Sequence, residues 1–148
     1  MKKVMIPVVH LEMVKDKEVL YGREPLDSPE KAAVFMRKFL GEVDREYLTV
    51  CCVDAKLKPT CIQIVGIGSI NFCTFSIPEI FKAAMLSNAA SLFLFHTHPS
   101  GEPEPSREDE LATQRAKKAG DLLGIALQDH IILGEAGQYY SFRERKME

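Results

Sequence analysis

A chain of 148 residues, 46% hydrophobic and 27% charged, has the make-up of one ordinary globular domain with a core of its own. A net charge of −2 and a pI near 6.1 argue against a strong nucleic-acid footprint, though not against a local basic patch. No apolar run reaches transmembrane length, and only a short one follows Met1-Lys2-Lys3, so neither a membrane partner nor a signal peptide is expected and the chain is placed in the cytoplasm.

In chain order, Val4–Val14 is apolar and broken by Pro7. It is a candidate edge strand, continued after a turn by Val19-Leu20-Tyr21, so residues 1–24 are expected as an extension of a single domain over 1–148. Ser28 then caps a helix with Pro29 at its first position. Ala32, Phe35, Met36, Phe39 and Leu40 share one face, and Gly41 stops the helix. Tyr47–Val53 is a continuous apolar strand, hence central. A turn over Asp54–Pro59 leads to a β-branched strand over Thr60–Ile67, with another short strand at Asn71–Ile77. Pro78 opens a helix to about Ala90, with Ile80, Phe81, Ala84 and Met85 inward.

Leu92-Phe93-Leu94-Phe95 is again a strand buried on both faces. A Pro/Gly-rich loop follows, then a helix from Ser106 to about Leu123 whose stripe is Leu111, Ala112, Ala116, Ala119 and Leu123, stopped by Gly124. Strands at Ile125–Leu133 and Gln138–Phe142 finish the chain. Strands and helices in this mixture predict an α/β sandwich, a mixed sheet flanked by helices. Cys51, Cys52, Cys61 and Cys73 include no C-x-x-C pair and read as buried free thiols.

The chemistry concentrates where the strand Leu92–Phe95 ends in His96-Thr97-His98. Residues i and i+2 of a strand point to one side, so both imidazoles project together. The loop with Pro99, Gly101, Pro103 and Pro105 can return Asp109 to them from the first turn of the next helix. Two imidazoles and a carboxylate make a three-ligand site with an open fourth position, the pattern of a catalytic zinc. A competing reading makes Asp109 a helix N-terminal acid, because Ser106-Arg107-Glu108-Asp109 is a cap followed by an N3 carboxylate.

His-x-His, seven residues, Ser, two residues, Asp resembles the motif of the JAMM (MPN-plus) metalloproteases. HTHPSG, QDHIIL and YYSF resemble more narrowly the RadC family of bacterial JAB-domain proteins, from about Pro25 onward. The resemblance implies a curved mixed sheet between helices, the JAB/MPN and cytidine-deaminase-like sandwich. It also implies one zinc held by His96, His98 and Asp109. Glu46, before the strand Tyr47–Val53, matches the general base, with Glu42 and Asp44 as rivals and a solvated surface charge as the competing reading. Ser106 matches a hydrogen-bond donor to the developing oxyanion or to the zinc's water. Asp129 and His130 belong to the RadC pattern, as supports of the site, as part of a substrate surface or as a hydrogen-bonded structural pair, and His130 is not counted as a ligand. RadC relatives usually read HNHPSG. Thr97 replaces that Asn on the side away from the ligands, so the metal should survive.

The implied activity is zinc-dependent hydrolysis of peptide or isopeptide bonds in a peptide or protein substrate. The alternatives are a DNA-associated accessory or interaction module with a structural metal, or a metal-dependent nuclease. Nucleic-acid association rests on the resemblance alone, and the stretch before Ser28 has no room for the helix-hairpin-helix domain that RadC proteins often carry.

Overall fold

The computed structural model describes residues 1–68 and 76–145. Its elements are α1 (Pro29–Leu40), β1 (Tyr47–Val53), β2 (Pro59–Ile67), α2 (Ile77–Leu86), β3 (Ser91–Thr97), α3 (Arg107–Leu123), β4 (Ala126–Leu133) and β5 (Tyr139–Ser141). The strands form one open sheet in the order β2-β1-β3-β4-β5. Only β3 and β4 run parallel, so the sheet is mixed and flanked by helices, as the element pattern predicts.

Period-2 alternation builds two cores. Leu48, Val50 and Cys52 of β1, with Leu92 and Leu94 of β3, pack against Ile80, Phe81 and Ala84 of α2 and Ala112 and Ala116 of α3. Cys51, Val53, Phe93 and Phe95 point the other way, against Ala32, Ala33 and Met36 of α1. Phe81, Phe93 and Phe95 are fully buried, each stabilising the fold by about 1.5–3 kcal/mol. Every residue of β3 is buried, which places it at the centre of both layers.

The helix ends follow their caps. Ser28 Oγ accepts from Lys31 N–H and Pro29 stands in the first turn of α1. Gly124 closes α3 in the left-handed conformation, φ 74°. α2 is shorter than expected: it stops at Leu86 because Asn88 adopts a positive φ of 53° and the chain turns into β3. Met85 faces outward and Ala83 is the buried residue instead. In α3, Ala112 and Ala116 are buried whereas Leu111 and Leu123 are exposed. The strand expected at Asn71–Ile77 lies outside the described residues except for Ser76 and Ile77, which cap and begin α2; Cys73 lies outside them too.

The edge strands expected within residues 1–24 are not formed: residues 1–27 carry no helix or strand. A strand needs a ladder partner, and the pairing among described residues ends with β2 and β5. Val4, Ile6, Val8, Val9 and Leu11 therefore stay exposed. The arm is held only nearer its end, where Tyr21 meets Phe35 edge-on at 5.6 Å and Leu26 N–H donates to Leu57 C=O at 2.8 Å. Among the described residues no helix is long and apolar enough to cross a membrane.

Candidate metal centre

His96 shares the parity of Leu92 and Leu94, so it faces the α2/α3 side of the sheet, towards the start of α3. His98 follows β3 directly, its N–H bonded to Leu133 C=O at 3.1 Å. The two rings stand edge to face, centroids 4.5 Å apart. Gly101, at φ 88°, turns the loop back, and its N–H bonds His98 C=O. The left-handed φ calls for glycine there, whereas a Cβ would meet only the exposed, movable side chain of Glu135. His98 Nδ1 lies 2.8 Å from Glu102 C=O, which makes it the donor and leaves Nε2 as the nitrogen that could face a metal.

The two readings of Asp109 in the sequence are compatible: it closes a capping box, and it lies in a group that could hold a metal ion. Ser106 Oγ accepts from Asp109 N–H at 3.1 Å, and Asp109 Oδ2 accepts from Ser106 N–H at 2.8 Å. This capping box aims the carboxylate. Oδ2 faces His98 Nε2 at 3.4 Å; Oδ1, which makes no hydrogen bond, faces His96 Nδ1 at 3.8 Å. One donor atom from each of His96, His98 and Asp109 falls within 4.8 Å of the others. A buried carboxylate oxygen with no hydrogen-bond donor, between two imidazoles, suits a cation. These residues fit a metal ion.

The protonation states of His96 and Asp109 suit it too. Burial, reinforced by His130, holds His96 down to about 3, so its imidazole is neutral and able to ligate at ordinary pH. Burial opposes the charge of Asp109, but His98, the Ser106 amide and His96 together keep its carboxyl below the usual range. Asp109 in turn raises His98 against the effect of burial.

Glu46 approaches from the end of β1, which pairs antiparallel with β3 and sets Leu48 opposite His96. Its Oε1 is 3.9 Å from His96 Nε2, and its side chain is 30% exposed. Of the rivals, Glu42 is exposed, and Asp44, on the same cleft, pairs with Arg45 at 3.0 Å. A cleft of about 330 Å³ opens here, lined by Asp44, Arg45, Glu46, Gly68 and Pro99. A larger cavity, about 570 Å³, lies between the arm and α1, away from these groups.

Asp129 and His130 do not join the ligands. Asp129 accepts from Ser141 Oγ at 2.5 Å and from Arg143 N–H at 3.0 Å, which ties the chain after β5 to β4. Burial raises its carboxyl to about 6. His130 is fully buried, stacked on Phe142 at 4.8 Å, with Nδ1 2.6 Å from Thr113 Oγ1. That hydroxyl donates to Asp109 C=O at 2.7 Å, so His130 supports the ligand helix from behind. The sequence reading missed Thr113. Its signal is the i+4 spacing from Asp109, at which a helical threonine reaches back to a carbonyl.

The RadC-like JAB domain family model matches residues 26–147. A protein of Roseiflexus castenholzii named UPF0758 protein is 41% identical over 83% of this chain and 52% of its own length. Proteins of the same name from Chloroflexus aggregans and Thermotoga maritima are 42% and 37% identical, over 83% and 82% of this chain and 53% and 54% of theirs. The chain spans about half the length of these curated relatives. The ligand cluster, Glu46 and the strands that bring them together all lie within the matched stretch, and the chain belongs to the RadC-like JAB domain family.

Proposed function

We propose that this domain is a zinc-dependent hydrolase of peptide or isopeptide bonds, acting on a peptide or protein. The observation that carries the reading is the pairing of an aimed His96–His98–Asp109 cluster with a carboxylate, Glu46, at its open side. Zinc is the metal of choice for imidazole and carboxylate donors, one ion per chain. In an open site it polarises a carbonyl and makes water acidic enough to attack near neutral pH.

The chain's own groups do the rest. Glu46 takes the proton of the attacking water on its carboxylate and returns it to the departing amine, so the amide leaves as a neutral amine. The Ser106 oxygen accepts from Asp109 N–H, which leaves its own O–H proton available to a developing oxyanion. The cleft beside Glu46 gives an extended peptide access. His98, held through Glu102, keeps one tautomer.

The test is unbiased cleavage profiling of the zinc-loaded protein on peptide libraries and isopeptide-linked conjugates. Glu46→Gln serves as the control that keeps zinc. Positioned acid–base groups contribute about 10²–10⁴-fold, and the variant should be slower by that factor. A parent that cuts nothing rejects the hydrolase reading; full activity in Glu46→Gln rejects Glu46 as the base.

A further inference from the structure

We propose that Thr97, between the two histidines, is the positioning residue for Glu46. This rests on the reading of Glu46 as the base. Thr97 is 5% exposed and stands one residue beyond the last backbone pair between β1 and β3, Leu48 with His96. Its hydroxyl takes the place of the next ladder bonds. Thr97 Oγ1 accepts from Tyr47 N–H at 2.8 Å and donates to Arg45 C=O at 3.1 Å.

Those two groups belong to the two peptide planes on either side of the Glu46 Cα. A third bond, from Gly68 N–H to Glu46 C=O at 2.9 Å, holds the second plane from the β2 side. With both planes held, the φ and ψ of Glu46 are set, and so is the direction in which its side chain leaves the backbone. From that starting direction Oε1 lies 3.9 Å from His96 Nε2. Glu46 lies outside β1, where the ladder alone would not order it. The three-residue stretch His96-Thr97-His98 thus supplies two ligands and the clamp on the base, which ties the base to the ligands through one strand. The residue that departs from the RadC pattern therefore acts on the base and not on the metal.

The full chain is loaded with cobalt(II), which accepts the same donors and reports its surroundings through its visible bands. Parent, Glu46→Gln, Thr97→Val and Thr97→Ser are compared by those bands and by amide hydrogen exchange at Tyr47. Thr97→Val should speed exchange at Tyr47 about fivefold, the worth of one net hydrogen bond. It should reproduce the band change caused by Glu46→Gln, while cobalt affinity stays that of the parent, since neither residue is a ligand. Thr97→Ser, which keeps the hydroxyl, should match the parent in both readouts. A hydroxyl that only closes the strand end would alter exchange and leave the bands of Thr97→Val at parent. That result, with Glu46→Gln still changing them, overturns this proposal and spares the base. Parent bands in Glu46→Gln overturn the base reading and the proposal together. If Thr97→Val does not fold, Thr97→Ala removes the hydroxyl with less bulk and is judged by the same two measures.

Discussion

Two histidine-bearing stretches lie side by side in this sheet and do different work. His96-Thr97-His98 ends β3, and Asp129-His130 sits inside β4, with Leu94 opposite His130 and His96 opposite Ile132. The His96 and His130 rings are 6.2 Å apart, both fully buried, and burial holds both pKa values down, to about 3 and about 4. Charge state therefore does not separate them. Position along the strand does. In mid-strand His130 is closed in by Thr113 and Phe142, and Asp129 by Ser141 and Arg143. At the strand end His96 and His98 meet the first turn of α3, where the capping box presents a carboxylate with one oxygen lacking a hydrogen bond. His130 Nε2 also makes no hydrogen bond, but it is not in the group of donor atoms that closes within 4.8 Å. A buried histidine joins a group that could hold a metal here when the strand stops and a helix N-terminus faces it.

The largest effect that would break this comparison is on metal affinity. Removing a residue that only supports a ligand typically costs 10–100-fold, so His98→Ala should weaken zinc binding by more than about 100-fold. His130→Gln, acting through Thr113 and the Asp109 carbonyl, should cost no more than about tenfold. Competition against a chromophoric chelator measures both. If His130→Gln loses zinc while Asp109→Ala keeps it, the third ligand is His130 and the contrast between the strands fails.

Next in size is the pH dependence of the metal-free fold. His130 titrates at about 4 in the folded state and at its ordinary 6.5 when unfolded. The unfolded chain binds the extra proton between those values, so this group's stabilisation is complete above 6.5 and lost as pH falls to about 4. The loss is on the order of 3 kcal/mol. His96 acts in the same direction, from 6.5 down to about 3. Asp129, raised from 3.8 to about 6, acts oppositely: its contribution is present below 3.8 and lost as pH rises through about 6. Two histidines outweigh one aspartate, so denaturant unfolding in chelator should show stability rising from pH 4 to 6.5. His130→Gln should leave that profile nearly flat. A slope unchanged in the variant would show that His130 is not held neutral by its burial.

The smallest effect sharpens the contrast at the ligand side. Ser106→Ala removes the cap acceptor for Asp109 N–H and should cost about 1 kcal/mol of stability. Because the cap also aims the carboxylate, zinc affinity should fall with it, by about tenfold. A loss of stability with zinc affinity untouched would mean that Asp109 is placed by Thr113 and its helix alone.

Much of this is legible in the amino-acid sequence alone. The β-branched and apolar runs, the Ser28-Pro29 cap and the Gly124 stop are local signals, set by torsions and hydrogen bonds within a few residues, and they located most elements. The i, i+2 parity of His96 and His98 and the spacing to Ser106 and Asp109 are likewise local, so the candidate ligands could be named. What needed the tertiary structure is everything that depends on a partner far along the chain. Val4–Val14 has strand composition but no ladder to join among the described residues, because pairing is a property of two segments and not of one. Among Glu42, Asp44 and Glu46, only the β1–β3 register decides which carboxylate reaches His96. Thr97 looked idle because alternation turns it from the ligands. Its contacts with Tyr47 and Arg45, fifty and fifty-two residues away in sequence, arise where one strand outruns its neighbour and a hydroxyl supplies the hydrogen bonds that the backbone no longer can.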